Sequence, residues 1–262
     1  MKRTISFFII SLMAFCVYAQ NLYIGTCYVT TVEEDSISSD KGDKWTNRVS
    51  VLCDMFKFEQ PDVLGLQAYN STQLAQIKQR VSTHSAAGDI LYNRTKIQMD
   101  NCGVVDNLRE GCSCSWAKLK IEERYFYVFN FSFTTSTTDA ASSATVVRSA
   151  VTNINTESLP VFVIGYLGVN QDKTAYTRFT SKFNDSYTQA PIKSALFGTK
   201  NNYDLEANHG TDRYDFIFTS KTVSVKAYGQ LEYGYYTKEA DNSYKRRLPS
   251  SHFPVMAKVS LP

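Results

Sequence analysis

A short apolar run that directly follows an amphipathic helix constrains the fold of this chain more than any other segment. From Trp45 to Phe58, apolar side chains recur every three or four residues, which predicts one buried face of a helix. Pro61 ends that helix, and Asp62 to Leu66 then forms an apolar run suited to a strand buried on both faces. A chain that alternates such elements folds into packed layers of helix and sheet.

The rest of the chain continues the alternation. Residues 21–30 predict a first strand, and residues 71–81 predict a second helix whose N-cap is Ser71 or Thr72. The Ser-, Thr- and Ala-rich residues 134–144 predict a loop. Further strands are predicted at 90–92, 115–121, 125–133, 160–164, 214–219, 223–228 and 254–261, and further helices around 147–154 and over 173–183. This order favours a layered α/β (α+β) sandwich over a doubly wound sheet.

The first 19 residues have the order of a secretory signal peptide. Lys2 and Arg3 precede an apolar run over residues 5–17, and a small residue ends the segment. The apolar run is shorter than the roughly 20 residues that span a bilayer. We therefore expect a signal peptide over residues 1–19, a single domain over residues 20–262, a secreted or periplasmic/extracellular location, and no membrane span.

The charge balance argues against nucleic acid as a partner. The whole chain carries a formal charge of +3, which falls to +1 without Lys2 and Arg3. A nearly neutral protein lacks the broad positive surface that attracts nucleic-acid phosphates. The densest basic stretch, Lys245-Arg246-Arg247, is interpreted as a solvated loop, with a phosphate-facing patch as the alternative.

Five cysteines follow the predicted signal peptide. Cys102 is expected to pair with Cys112 or Cys114, because the short intervening loop and export both favour a local disulfide. Cys27 and Cys53 are expected to be buried as small apolar residues.

Several segments, in order along the chain, resemble motifs of the endonuclease/exonuclease/phosphatase (DNase I-like) family. Residues 62–68 resemble the family's Pro-Asp-Ile-Ile-Gly-Leu-Gln-Glu strand end, and residues 250–255 resemble its Ser-Asp-His-x-Pro-Val ending. Weaker matches lie at 21–29, 45–48, 115–119, 129–133, 160–165 and 213–218. The resemblance covers nearly all of residues 20–262, and it implies the family's four-layered αββα sandwich.

The resemblance also implies where catalytic residues would stand. In the family, carboxylates hold Mg²⁺ or a similar cation that neutralises the phosphate and supports attack by water. This chain retains Asp215 and His252, the pair in which a carboxylate orients the imidazole. The other matched positions hold different residue types: Tyr28, Ala68, Ser132, Tyr166, Gly168 and Ser251. A shifted alignment would bring Asn170 or Asp172 into the site, but it would not restore the carboxylates at the positions of Ala68 and Ser251.

These residues predict binding rather than hydrolysis. Tyr28 and Tyr166 would make the cleft aromatic, which suits a sugar, a lipid headgroup or a protein side chain, or they simply fill an unused pocket. The Asp215–His252 pair either acts as a metal-free general base or ties the last strand to its neighbour. No role is predicted for the two other histidines, His84 and His209.

The sequence therefore predicts an exported, catalytically degenerate relative of this family that acts as a binding module for an unknown ligand or protein. We expect no metal site and no cofactor. The alternative is an active metal-dependent phosphohydrolase, a phosphodiesterase, phosphatase or nuclease, whose ligands have moved and which uses Mg²⁺ or Mn²⁺.

Overall fold

The structure is a computed structural model, and it describes residues 20–33, 43–195, 198–204 and 210–262. The predicted signal peptide, residues 1–19, and His209 lie outside these described residues. Among the helices that are described, none is long and apolar enough to cross a membrane.

Strands provide most of the regular structure. The strands are β1 (Asn21–Tyr28), β2 (Val63–Gln67), β3 (His84–Ala87), β4 (Ile90–Asn93), β5 (Ile97–Val104), β6 (Ser113–Ile121), β7 (Arg124–Ser132), β8 (Val161–Tyr166), β9 (Asn184–Asp185), β10 (Ile192–Ser194), β11 (Asp215–Thr219), β12 (Ser224–Gln230), β13 (Tyr235–Lys238), β14 (Tyr244–Arg247) and β15 (Val255–Ser260). The helices are α1 (Trp45–Glu59), α2 (Ser71–Arg80), α3 (Thr137–Ile154), α4 (Thr174–Thr180) and α5 (Ser186–Gln189).

The strands form two large sheets and one separate hairpin. The first sheet has the order β10-β12-β15-β1-β2-β4-β3, the second has the order β5-β6-β7-β8-β11-β9, and β13 pairs with β14. In the first sheet β1 is parallel to β2, and in the second β7 is parallel to β8. The carboxyl ends of these four strands meet at one end of the sandwich, where Tyr28 of β1 contacts Tyr166 of β8.

Three apolar layers hold the domain together. Between the sheets, side chains such as Ile24 of β1 and Ile164 of β8 share one core. Leu52 of α1 belongs to a second core that covers the outer face of the first sheet. Val147 of α3 and Phe179 of α4 belong to a third core on the outer face of the second sheet. This αββα order confirms the four-layered fold that was predicted from the sequence.

The structure corrects the prediction of a loop over residues 134–144. Helix α3 begins at Thr137, and Ser136 caps it by accepting a hydrogen bond from Asp139 N at 3.4 Å. Ala140 and Ala144 are fully buried. The small side chains that suggested a loop instead allow the helix to pack closely against its sheet.

The N-cap of α2 also differs from the prediction. Asn70, rather than Ser71 or Thr72, accepts a hydrogen bond from Gln73 N at 2.9 Å through its side chain. The side chain of Gln73 accepts one from Asn70 N at 3.0 Å, so the two residues form a capping box. The prediction placed the helix correctly but its cap one or two residues too late.

Two unpredicted regions are strands whose side chains are mostly exposed. Strand β5 lies at the edge of the second sheet, and only Ile97 is buried in it. The hairpin of β13 and β14 is separate from both large sheets. The basic run Lys245-Arg246-Arg247 therefore lies in strand β14 and not in a solvated loop.

The predicted disulfide at Cys102 is wrong for this structure. Cys102 lies opposite Ala117 of β6, so Cys114 is three residues further along the partner strand. At about 3.3 Å per residue this offset is about 10 Å, beyond the roughly 7 Å between Cα atoms that a disulfide can bridge. Cys112 lies further still, and each of the five cysteines in the described chain is a free thiol. Burial is confirmed for the two cysteines expected inside the fold, Cys27 and Cys53.

His84, for which the sequence predicted no role, is a buried residue of β3. Its Nε2 donates to the carbonyl oxygen of Pro61 at 2.6 Å, and its Nδ1 lies 3.0 Å from the hydroxyl of Thr83. Desolvation lowers the pKa of His84, and it outweighs the opposing effects of the Pro61 hydrogen bond and the nearby Asp62 carboxylate. The neutral imidazole is therefore the form that fits the fold.

We expect His84 to make the protein less stable in mild acid. In the unfolded chain His84 binds a proton near its ordinary pKa of about 6.5, whereas the folded protein resists protonation until a lower pH. The unfolded state then binds more protons, so the free energy of unfolding falls as the pH drops through this window. Thermal denaturation of wild type and His84→Gln between about pH 7.5 and pH 5 tests this. Equally steep pH dependence in both proteins would contradict it.

Candidate ligand-binding cleft

The residues singled out in the sequence converge at one end of the sandwich. Tyr28 is the last residue of β1, and Ala68 directly follows the neighbouring strand β2. In the second sheet, Ser132 at the end of β7 lies opposite Tyr166 at the end of β8. Tyr166 also lies opposite Asp215, the first residue of β11. We call the surface around these strand ends the cleft.

Asp215 and His252 form a buried hydrogen-bonded pair in the cleft. Nδ1 of His252 lies 2.7 Å from Oδ2 of Asp215, and both side chains are 2% exposed. A carboxylate accepts from Nδ1–H, which leaves Nε2 as the acceptor of a neutral imidazole. Nε2 has no hydrogen-bond partner among the described residues. The pair therefore joins β11 to the segment before β15 and keeps one ring nitrogen available.

Two tyrosine rings enclose the imidazole of His252. The ring of Tyr28 stacks on it with centroids 4.2 Å apart and planes at 17°. Tyr166 meets it edge-on at 5.4 Å and 80°, and the two tyrosine rings are 4.7 Å apart. Tyr28 is half-buried, whereas Tyr166 and His252 are buried. We call these three residues the ring cluster.

A hydroxyl network stands where the resemblance implies a carboxylate before the histidine. The hydroxyl of Ser251 lies 2.7 Å from Oγ1 of Thr30, and Ser251 N donates to the same oxygen at 3.0 Å. Thr30 has a φ of 70°, a left-handed conformation that β-branched residues rarely adopt. Such strain costs about 1–3 kcal/mol. Its carbonyl oxygen accepts from Arg48 at 3.1 Å and Gln73 at 2.9 Å, which helps to hold this conformation.

Thr30 and Thr199 are residues of the cleft that sequence reasoning missed. Thr199 Oγ1 accepts from Tyr214 N at 2.9 Å and from Asp215 N at 3.2 Å, and so fixes the start of β11. Phe253 N donates to Thr199 O at 2.8 Å. Neither threonine belongs to a recognisable motif, and each acts on segments remote from it in sequence.

Buried amides form the floor beneath Ala68. Gln67 accepts from the hydroxyl of Thr26 at 3.0 Å and donates to Asn130 Oδ1 at 2.5 Å. Asn130 in turn donates to the carbonyl oxygen of Leu66 at 2.9 Å. A Cβ on Gly65 would lie 2.4 Å from Asn130 Oδ1, so the glycine makes room for this network. The network links β1, β2 and β7 and keeps the strand ends in register.

Gly168 is fixed by backbone geometry. Its φ is 75°, and a Cβ would lie 2.0 Å from the carbonyl oxygen of Thr134. A larger residue therefore requires the backbone to move. Asn170 and Asp172, the residues that a shifted alignment would bring into the site, belong to a turn. Asn170 Oδ1 accepts a hydrogen bond from Asp172 N at 3.3 Å, and Asp172 is exposed.

Comparison with solved structures decides the fold family. An endonuclease/exonuclease/phosphatase family protein from Bacteroides thetaiotaomicron is 24% identical, with a TM-score of 0.86 over 94% of this chain and 99% of that chain. The chain has the endonuclease/exonuclease/phosphatase fold. A mannosyl-6-phosphatase from Bacteroides thetaiotaomicron VPI-5482 is 25% identical, with a TM-score of 0.83 over 91% of this chain and 99% of that chain.

A further endonuclease/exonuclease/phosphatase protein, from Bacteroides vulgatus, is 17% identical with a TM-score of 0.77 and covers 93% of this chain and 100% of its own. No family sequence profile matches the chain, and no curated protein matches it significantly. The resemblance noted in the motifs is thus confirmed by the fold.

The side chains of the cleft do not fit the divalent cation that this fold family implies. Mg²⁺ and Mn²⁺ require several oxygen ligands with anionic charge among them. Ala68 offers none, Ser132 and Ser251 offer neutral hydroxyls, and Asp215 Oδ2 is bonded to His252. Asp215 Oδ1 is buried without a hydrogen-bond partner, which leaves a single anionic oxygen. Over the described ranges, no three His, Cys, Asp or Glu side chains group as metal ligands.

Proposed function

We propose that the protein is a catalytically degenerate relative of the endonuclease/exonuclease/phosphatase enzymes that binds a sugar in the cleft. The ring cluster carries this proposal, because Tyr28 and Tyr166 stand at positions where the family pattern has polar metal-site residues. Aromatic rings offer an apolar face to the C–H groups of a sugar ring. Nε2 of His252 offers an acceptor for a sugar hydroxyl.

The comparison with a mannosyl-6-phosphatase supports a sugar over a lipid headgroup or a protein side chain as the ligand. The cleft residues Tyr28, Ala68, Ser132, Tyr166 and Ser251 carry no positive charge to pair with the phosphate of such a substrate. Burying a phosphate without compensating charge is costly, so the sugar ring, and not the phosphate, supplies the affinity. We therefore propose a neutral hexose, or a hexose at the end of a glycan, as the ligand.

Calorimetric titration with methyl α-mannoside and with mannose 6-phosphate tests the proposal. We expect both sugars to bind, with the phosphate adding little. Tyr28→Ala should weaken methyl mannoside binding about fivefold to tenfold, because an aromatic contact contributes about 1 kcal/mol. Tyr125→Ala is the matched control, since Tyr125 is a half-buried tyrosine at the opposite end of β7 from Ser132.

The same titrations distinguish binding from pocket filling. If the tyrosines only fill an unused pocket, no sugar binds, and Tyr28→Ala lowers the melting temperature without changing any titration. Much tighter binding of mannose 6-phosphate than of methyl mannoside would contradict the proposal that the sugar ring, and not the phosphate, supplies the affinity. Either result overturns the proposed sugar site.

The Asp215–His252 pair supports one second candidate function, metal-free hydrolysis. A neutral His252 with an available Nε2 has the geometry of a general base that removes a proton from water. Hydrolysis of an activated ester in the presence of EDTA, abolished in His252→Ala, would support this function. Equal background rates in both proteins would exclude it.

Export is the final part of the proposed function. It rests on the order of basic, apolar and small residues over 1–19. The intact mass of protein recovered outside the cytoplasm should correspond to a chain that begins at Gln20. Retention of residues 1–19 in the exported protein would contradict this part alone.

A further inference from the structure

The hairpin of β13 and β14 has one face on which aromatic and cationic side chains alternate. Tyr236 lies opposite Arg246, and Lys238 lies opposite Tyr244. Directly paired residues, and residues two apart on one strand, point to the same face of a hairpin. Tyr236, Lys238, Tyr244 and Arg246 therefore share one face, which we call the ribbon face.

The ribbon face is exposed and lacks partners within the described chain. Tyr236 is 67% exposed and Tyr244 is 68% exposed. Lys238 and Arg246 are also exposed, and neither forms an ion pair with a described residue. The face thus presents two aromatic rings and two cationic side chains that form no ion pair with a described residue.

The opposite face of the hairpin is bonded to the protein or within the hairpin. The hydroxyl of Tyr235 donates to Asp43 at 2.8 Å. Arg247 donates to Glu239 at 3.0 Å and to the hydroxyl of Thr237 at 3.1 Å. The bond from Tyr235 to Asp43 attaches this face to the rest of the protein, and the bonds of Arg247 join the two strands of the hairpin.

The side chain of Arg246 lies close to Gly234. A Cβ at Gly234 would lie 2.8 Å from Nε of Arg246 and 3.3 Å from its Nη2. The guanidinium therefore lies on the same face of the hairpin as its cross-strand neighbour Tyr236.

We propose that the ribbon face binds an acidic polysaccharide. An isolated two-stranded hairpin is at best marginally stable, and the two exposed tyrosines belong to none of the three cores. On the ribbon face, each ring lies about 5 Å from a cation on the paired strand and about 7 Å from a cation on its own strand. An acidic polysaccharide matches this pattern, because each of its sugar units carries an apolar face and an anionic group. The choice of a saccharide as the ligand rests on the proposed function. The expectation that the ligand is anionic rests only on the charge and exposure of the ribbon face.

Affinity electrophoresis in gels that contain dextran sulfate, uncharged dextran or single-stranded DNA tests the ribbon face. We expect dextran sulfate to retard the wild-type protein, with weaker retardation as salt rises, and uncharged dextran to have little effect. Arg246→Gln and the pair Tyr236→Ser with Tyr244→Ser should each weaken dextran sulfate binding about fivefold or more, the effect of roughly 1 kcal/mol. Circular dichroism checks that each variant is folded.

Neighbouring residues provide matched controls. Lys245→Gln removes the same charge one residue away, on the other face of the hairpin, and should change the affinity less than twofold. Gly234→Ala keeps every charge and only shifts the guanidinium of Arg246, so it should weaken binding less than Arg246→Gln does. Equal losses for Lys245→Gln and Arg246→Gln would overturn the proposal, because binding would then depend on net charge alone.

Two further measurements distinguish a polysaccharide from a nucleic acid as the ligand, and binding at the ribbon face from binding in the cleft. Equal or tighter retardation by single-stranded DNA would overturn the assignment to a polysaccharide. Tyr28→Ala should leave dextran sulfate binding unchanged, because Tyr28 lies in the cleft and not on the ribbon face. If no sugar binds in the cleft, the electrophoresis result for the ribbon face can therefore still be interpreted independently.

Discussion

Wild-type protein with Mg²⁺ or Mn²⁺ is expected to hydrolyse mannose 6-phosphate, DNA, RNA and phosphodiesters no faster than buffer alone. The positions of Ala68, Tyr166 and Ser251 hold no carboxylate. Removal of a single positioned electrostatic group commonly costs a factor of about 10² to 10³ in rate. Several such losses at one site are not additive, but each acts in the same direction. Phosphate release and product analysis measure the result directly.

Restored carboxylates should create divalent-ion binding. In the variant Ala68→Glu with Tyr166→Asp and Ser251→Asp, three carboxylates would stand at the strand ends around the cleft. Ala68 already has a φ of 49°, so the backbone strain of a left-handed residue is present before the substitution, and a glutamate adds little to it. Ser251→Asp breaks the 2.7 Å contact with Thr30. We therefore expect Mn²⁺ affinity no tighter than about 10⁻⁴ to 10⁻³ M, the range of weak Ca²⁺ sites built from oxygen ligands.

A neutral variant of the same size is the control for this experiment. Ala68→Gln with Tyr166→Asn and Ser251→Asn makes the same changes in shape without charge, and it should bind no Mn²⁺ in calorimetry. Tight, EDTA-reversible Mn²⁺ binding or turnover by the wild type would contradict the main prediction. The active enzyme with relocated ligands would then be the better account of the protein.

Apolar periodicity explains which elements could be predicted from the sequence. Strands β2 and β8 are buried along their whole length, and the helix α1 has a regular buried face, so each carries a strong pattern. Strand β5 and the hairpin of β13 and β14 bury little, and their composition resembles that of loops. Helix α3 begins in small residues whose helical state depends on packing against the second sheet, which a local pattern does not contain.

The cleft was predictable in its residues but not in its arrangement. Motif order placed Tyr28, Tyr166, Asp215 and His252 at neighbouring strand ends, and the structure brings them together. The stacking of Tyr28 on His252 depends on two segments that are more than 200 residues apart in the sequence. The sequence motifs do not specify the angle between two side-chain rings, so this stacking could not be predicted from them. The contribution of Thr30 was hidden for the same reason, since its hydroxyl meets Ser251 only in the folded chain.

Arg48→Met is expected to destabilise the protein by about 3 to 5 kcal/mol, the cost of breaking a buried charged network from one side. Arg48 is fully buried in α1. Its Nη1 donates to the carbonyl oxygens of Val29 at 3.0 Å and Pro249 at 2.7 Å, and its Nη2 donates to that of Thr30 at 3.1 Å. Its Nε donates to the carbonyl oxygen of Asp43 at 3.0 Å.

The partners of Arg48 explain why methionine cannot replace it. Where both members of a buried ion pair are exchanged for apolar residues, stability is often unchanged, because no polar group is left behind. Here the acceptors are backbone carbonyls that remain after the substitution, and each buried acceptor without a donor costs about 1–3 kcal/mol. The carbonyls of Val29 and Thr30 lie just after β1 and that of Pro249 lies just before Ser250, so Arg48 also holds together the two chain segments that carry Tyr28 and His252.

Urea denaturation of Arg48→Met, Arg48→Lys and Arg94→Met measures this effect. Arg94 is an exposed arginine, so its substitution should change the free energy of unfolding by less than about 0.5 kcal/mol. Lysine should rescue little, because an ammonium group cannot reproduce the planar guanidinium that reaches carbonyls on several segments at once. A loss below about 1 kcal/mol in Arg48→Met would show that the freed carbonyls find other donors. The cleft would then be held mainly by Gln73, which donates to Thr30 O at 2.9 Å, and by the Asp215–His252 pair.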